Sequence, residues 1–227
     1  MKKLNLLIIS AWVLICVHSV WSQSQATVGY GLVVDNSLSM MNALEGEISL
    51  AKELVKATNK DSYVSYFAFA TDPVSKRAEL ARGIQCTTDR VTLDSQLIQL
   101  FSVTGQTKLI DGIMAAAEQI DDKRPDKCPV FSEKHLLLIT DGEDRASTMK
   151  AAELISKLKA KGVKVSVIGL ITGLNDDRGF MPKSARGSAR EFIDRLTKET
   201  GGNVVYPKKN QSPTEIVKAL LEPKTKK

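Results

Sequence analysis

Apolar and polar positions along the chain fall into two patterns that take turns. Short runs rich in β-branched and aromatic residues predict strands: TVGYGLVV (27–34), SYVSYFAFA (62–70), HLLLIT (135–140), VKVSVIGL (163–170) and NVVY (203–206). Several are apolar on both faces, the pattern of central strands in a parallel sheet. Between them, apolar residues recur three and four apart and predict helices: SLAKELVKATN (49–59), LDSQLIQLF (93–101), TKLIDGIMAAAEQI (107–120), TMKAAELISKLKAKG (148–162) and SAREFIDRLTKETGG (188–202). The last two close on Gly162 and on Gly201 with Gly202, where helix C-caps belong. A final amphipathic helix, PTEIVKALLE (213–222), starts with Pro213 after Ser212 as its N-cap.

Strands alternating with helices imply a single α/β domain, a doubly wound, mostly parallel open sheet with helices on both faces. KRAEL (76–80) is a candidate short edge strand. No repeat, low-complexity block or long linker marks a second domain. Two connections, 121–133 and 171–187, exceed the usual handful of residues; loops of that length are either functional or disordered.

The first stretch departs from this alternation. Lys2 and Lys3 precede an apolar run, 6–17, followed by small and polar residues, which is the anatomy of a secretory signal. The run of 12 residues falls short of the roughly 20 that a membrane-spanning helix needs, so a retained anchor is the weaker reading. Val20 and Ser22 suit the positions three and one before cleavage, with Ser24 and Ala26 as a second choice, and bulky Ile15 before Cys16 argues against a lipoprotein. The expectation is a signal peptide over 1–22 cleaved near Ser22, a domain over 27–222 and a basic tail over 223–227. The mature protein is then secreted or periplasmic, without membrane association.

Composition adds little to this picture: 43% hydrophobic and 26% charged residues fit one ordinary core. Cleavage lowers the formal net charge from +6 to +4. The lysines of YPKKN and EPKTKK lack interleaved aromatics, the pattern of a solvated face or tail and not of a nucleic-acid surface. Two cysteines survive cleavage, Cys86 and Cys128. In an oxidising compartment such a pair suggests one disulfide, two buried free thiols being the alternative.

Candidate chemistry gathers at strand ends. GLVVDNSLSM (31–40) leaves an apolar run for Asp35, Ser37 and Ser39, spaced two apart. In extended backbone alternate side chains share a face, so three hard oxygen donors can converge beyond the first strand. LLLITDGED ends another strand with Asp141, and Thr107 opens a helix in TGQTKLIDG. Each has a plainer reading: a turn and cap for Asp35 and Ser39, a turn for Asp141 with Gly142, an N-cap for Thr107. In a doubly wound sheet, however, ligands bind at the carboxyl edge where the strand order reverses. If the first strand and HLLLIT flank that reversal, Asp35 and Asp141 face each other across the crevice.

DNSLS, GQTKLIDG and LLLITDG, in this order, resemble the von Willebrand factor A domain and its metal-ion-dependent adhesion site, written Asp-x-Ser-x-Ser, Thr, Asp. The likeness spans about 27–222 and is strongest to secreted bacterial members, where DGEDRAS also has counterparts. It implies that Asp35, Ser37, Ser39, Thr107 and Asp141 hold a divalent ion. Leu38 departs from the family, which commonly has Gly there, and a Leu crowds the approach to the ion. An all-oxygen set without Cys or His suits Mg²⁺ or Mn²⁺. Two carboxylates balance such an ion without excess, so a Glu or Asp of a protein partner is still attracted. The loop 171–187 leaves a strand at the same edge, and its Arg178, Lys183 and Arg186, with Leu38, are expected to form the partner-binding rim.

Other classes fit less well. A Ser-His-Asp hydrolase needs a placed histidine, and after cleavage only His135 remains, at the start of a strand. TGQTK lacks the spacing of a phosphate-binding loop. A phosphoryl-transfer enzyme with Asp35 as nucleophile lacks a second acid two residues on, where Ser37 stands. The expectation is therefore a binding module and not an enzyme, with no small-molecule substrate. The rival reading is the same scaffold with a degenerate metal site and a partner surface elsewhere.

Overall fold

A computed structural model describes residues 27–71, 78–100, 107–121, 128–174 and 185–222. The expected signal peptide, the basic tail, Arg178 and Lys183 lie outside the described residues. The elements run β1 (Val28–Asp35), α1 (Leu44–Ala57), β2 (Tyr63–Thr71), β3 (Ala78–Thr87), α2 (Arg90–Ile98), α3 (Leu109–Asp121), β4 (Glu133–Thr140), α4 (Ala151–Ala160), β5 (Val163–Gly169), α5 (Ala185–Thr200), β6 (Val204–Val205) and α6 (Pro213–Leu221).

The described strands form one six-stranded sheet in the order β3-β2-β1-β4-β5-β6. Only the β2–β3 pairing is antiparallel. β1 is central, with Asp35 level with Phe69 of β2 on one side and Val34 level with Ile139 of β4 on the other. From β1 the chain first builds outward through β2 and β3, then returns to build β4, β5 and β6 on the other side. The reversal therefore falls between β1 and β4, whose carboxyl ends carry Asp35 and Asp141.

Alternation along β1 divides two cores. Leu32 and Val34 pack with Leu50, Leu54, Leu93, Leu97, Ile216 and Leu220, so α1, α2 and α6 cover one face. Val33 packs with α3, α4 and α5 through Leu109, Ile113, Leu154, Leu158, Ile193 and Leu196. Burial on both faces is why this strand reads as a continuous apolar run. The fold class, a single α/β domain with a mostly parallel sheet, is as the sequence implies.

Two elements exceed their sequence patterns. The edge strand expected at 76–80 is β3, which runs to Thr87 with irregular register against β2. An antiparallel edge pairs on one side only, so it does not need the double-faced apolar pattern that reveals the inner strands. α1 begins at Leu44, ahead of the periodic stretch, and a 3₁₀ turn over Leu38–Ala43 leads into it. Gly162 and Gly201 end their helices at positive φ, and Ser212 caps α6 through a reciprocal pair with Glu215. Cys86, just before the end of β3, is joined by a disulfide to Cys128, which precedes β4.

Candidate functional site

β1 stops at Asp35 because the next residues bend the chain around its carboxylate. The Ser37 amide donates to Asp35 Oδ1 at 3.2 Å, and Met40 N–H then bonds Ser37 O at 3.0 Å to open the 3₁₀ turn. Met40 is buried beneath this turn, while Leu38 and Met41 are 49% and 56% exposed. Leu38 thus stands at the rim. The hydroxyls of Ser37 and Ser39 are 3.1 Å apart, and Ser39 in turn hydrogen-bonds the Asp141 side chain. Asp35, Ser37, Ser39 and Asp141 are therefore linked contact by contact across the β1–β4 reversal.

The β4 side is equally constrained. Thr140 Oγ1 donates to Asp35 Oδ2 at 2.6 Å and accepts from Gly142 N–H at 2.9 Å, while Asp141 Oδ1 accepts from Glu143 N–H at 2.8 Å. Gly142 has φ +78, and a Cβ there would lie 2.7 Å from Ile193 Cδ1. Only glycine fits that turn without strain. Thr107 is buried, and its carbonyl accepts from the amides of Arg145 (2.9 Å) and Ala146 (3.1 Å), which ties it to the loop after Asp141. All five expected donor residues are thereby at the carboxyl edge of the sheet.

Burial dominates the electrostatics of both acids. Burial, followed by the negative charge of Asp141, pushes Asp35 up to about 7. Burial also raises Asp141 above the ordinary carboxylate range, against hydrogen bonds from Glu143 N–H and Ser39. The positive charge that Asp141 feels, Arg145, is held at 2.6 Å by Glu143. Among the described residues no three His, Cys, Asp or Glu side chains converge as a metal-binding group; the expected set contains only two carboxylates, its other donors being hydroxyls. Two buried acids and three hydroxyl residues fit a hard divalent cation.

Arg186 is partly buried, and its Nη2 donates to the carbonyls of Thr172 (3.3 Å) and Leu174 (3.1 Å), which holds the chain after β5. Sequence reasoning missed two residues here. Thr140, the last residue of β4, could have been noticed as a hydroxyl beside the strand-end acid. Glu47, in the first turn of α1, is 0% exposed and neither carboxylate oxygen has a hydrogen-bond partner. Its signal was an acid on the apolar stripe with Leu50, Ala51 and Leu54, lost when the helix is started at residue 49.

Comparison with known structures agrees on this architecture. An aerotolerance-related membrane protein from Bacteroides fragilis superposes with TM-score 0.60 at 20% identity, covering 85% of this chain and 96% of that one. BatB, a conserved hypothetical protein from Bacteroides thetaiotaomicron, gives 0.58 at 21%, with the same two coverages. The pilus adhesin SpaC from Lactobacillus rhamnosus GG, in an open conformation, gives 0.61 at 14%; 87% of this chain covers 29% of the adhesin. At these identities the likeness shows the fold alone. No curated protein sequence matches. The family model of the von Willebrand factor type A domain matches residues 31–208, from within β1 past β6, and the chain belongs to that family.

Proposed function

We propose that this protein is an exported binding module. Asp35, Ser37, Ser39, Thr107 and Asp141 would hold a divalent ion, Mg²⁺ or Mn²⁺, that a Glu or Asp of a protein partner completes. Domains of this family are generally interaction modules, not enzymes, and often bind a divalent metal; one structural neighbour is itself an adhesin. The observation that carries the reading is the linked set of two buried acids and two serine hydroxyls at the sheet reversal, where the positive charge that reaches Asp141, Arg145, is itself paired with Glu143.

When bound, the ion supplies a Lewis-acidic point of attachment for an outside carboxylate. The protein's own groups do the rest. Thr140 and the Ser37 amide fix the Asp35 carboxylate, and the Glu143 amide fixes Asp141. With two negative charges against a divalent ion, a third carboxylate from the partner is still attracted. Leu38 would shape the approach, together with Arg178, Lys183 and Arg186 after β5. Export rests on the signal-like segment 1–22, and among the described residues no helix is long and apolar enough to cross a membrane.

The test is thermal melting in millimolar Mn²⁺ or Mg²⁺ against EDTA. A ligand that binds only the native state raises stability by mass action, so wild type should melt higher with metal and Asp141→Ala should not respond. Partner capture from the native host should need metal, weaken with salt and fail for Ser39→Ala. Melting indifferent to metal, with partners retained in EDTA, would move the interaction to another face.

A further inference from the structure

Glu47 stands where an amphipathic helix ordinarily has an apolar residue. It lies on the inward face of α1 with Leu50, Ala51, Leu54 and Val55, is fully buried, and has no hydrogen bond to either carboxylate oxygen. An ionised carboxylate buried without a partner is among the costliest arrangements a protein can hold. The charges that reach it are those of Asp35 and Asp141, both acids of the site. Repulsion from two neighbours of the same sign adds to the cost of burial, and no described side chain offsets it by hydrogen bonding.

We propose that Glu47 is a third carboxylate of the metal site, acting on the bound ion through a bridging water. This rests on the metal-site reading above and extends it by a residue outside the Asp-x-Ser-x-Ser, Thr, Asp pattern. The geometry selects the indirect role, because Glu47, Asp35 and Asp141 do not converge as one group of direct ligands. A metal-bound water is a polarised donor, and an orphaned carboxylate is the acceptor that orients it. The consequence is retention. A bound divalent ion favours the ionised carboxylate, and this third negative charge in a water-poor interior then holds the ion when no partner carboxylate is present, so the module reaches its partner already loaded.

The test uses the full chain and Mn²⁺ as the probe, with free Mn²⁺ followed by electron paramagnetic resonance and melting followed by circular dichroism. Glu47→Gln keeps the shape and removes the charge. It should weaken Mn²⁺ binding by about tenfold, the lower end of the effect of losing a residue that orients a ligand or bound water. Glu47→Leu completes the apolar stripe. It should melt higher than wild type in EDTA and gain less from Mn²⁺, opposite signs that a merely structural glutamate would not give. Should either variant fail to fold, the other decides. Mn²⁺ affinity within twofold of wild type in a folded variant overturns the role of Glu47 alone. A folded wild type that binds no Mn²⁺ overturns the metal site and this inference together.

Discussion

Asp35 makes the stability of the domain respond to pH in a direction unusual for an aspartate. Burial and Asp141 hold its carboxyl near 7, above its unfolded value, so the folded state keeps a proton that the unfolded chain gives up. Stability from this group is fully present below about pH 4 and is lost as pH rises through 7. Glu47, raised to about 10 by burial and by the two aspartates, acts in the same direction over a higher range. His135, lowered chiefly by burial, acts in the opposite direction, so the clean measure is a difference. In EDTA the melting advantage of wild type over Asp35→Asn should shrink between pH 5.5 and 8.5; a constant difference would show that Asp35 is not held protonated. The expected donors Asp35, Ser37 and Ser39 were legible because an acid and hydroxyls two apart at a strand end are a local pattern. Glu47 was not, since its meaning depends on which helix face is buried.

Among the elements, legibility followed periodicity. α3, α4 and α5 carry apolar positions at helical spacing through most of their length, and their expected spans lie within three residues of those observed at either end. α1 was cut short because Glu45, Gly46 and Glu47 are not apolar, and the missing turn is the one that carries the buried Glu47. β3 was mostly missed because an edge strand needs only one pairing side. α6 was legible from Ser212 and Pro213 at its start, and the structure adds the other half of the cap: Ser212 accepts from Glu215 N–H, and Glu215 accepts from Ser212 N–H at 2.9 Å. Ile216, Val217 and Leu220 are buried in the core shared with α1. Ser212→Ala should cost about 1 kcal/mol, seen as a melting temperature lower by ~2–4 °C in a domain of this size. No change would show that this helix is held by packing alone.

For the whole molecule, the strand order was the step that the sequence could state only conditionally. Whether β1 and β4 are neighbours depends on contacts more than a hundred residues apart, and the sheet places them side by side. That adjacency converts two unremarkable strand ends into one site. The disulfide acts at the same scale, linking the end of β3 to the approach to β4 across 42 positions. Closing such a loop restricts the unfolded chain by roughly 4 kcal/mol in the chain-entropy account, so reduction should lower the melting temperature markedly. Mass spectrometry of protein recovered from its native host tests export and pairing together. The expected mature chain begins at or near Gln23 and carries no free thiol at Cys86 or Cys128; an intact N-terminus or two alkylated thiols would count against export into an oxidising compartment.

The direction of β1 has a practical consequence. Thr27, just before it, is fastened to the start of β4 by Ser132 N–H and Oγ at 3.0 and 3.1 Å, while Asp35 ends the strand eight residues on. At about 3.3 Å per residue, the point where upstream chain joins the domain is roughly 26 Å from the site, on the opposite edge of the sheet. A sensor chip or bead coupled through residues ahead of Thr27 would therefore present every molecule with its site facing the solution. Coupling through lysines would instead bury a fraction of the sites against the support, and the two preparations compared at equal loading would differ in the share of molecules able to capture a partner.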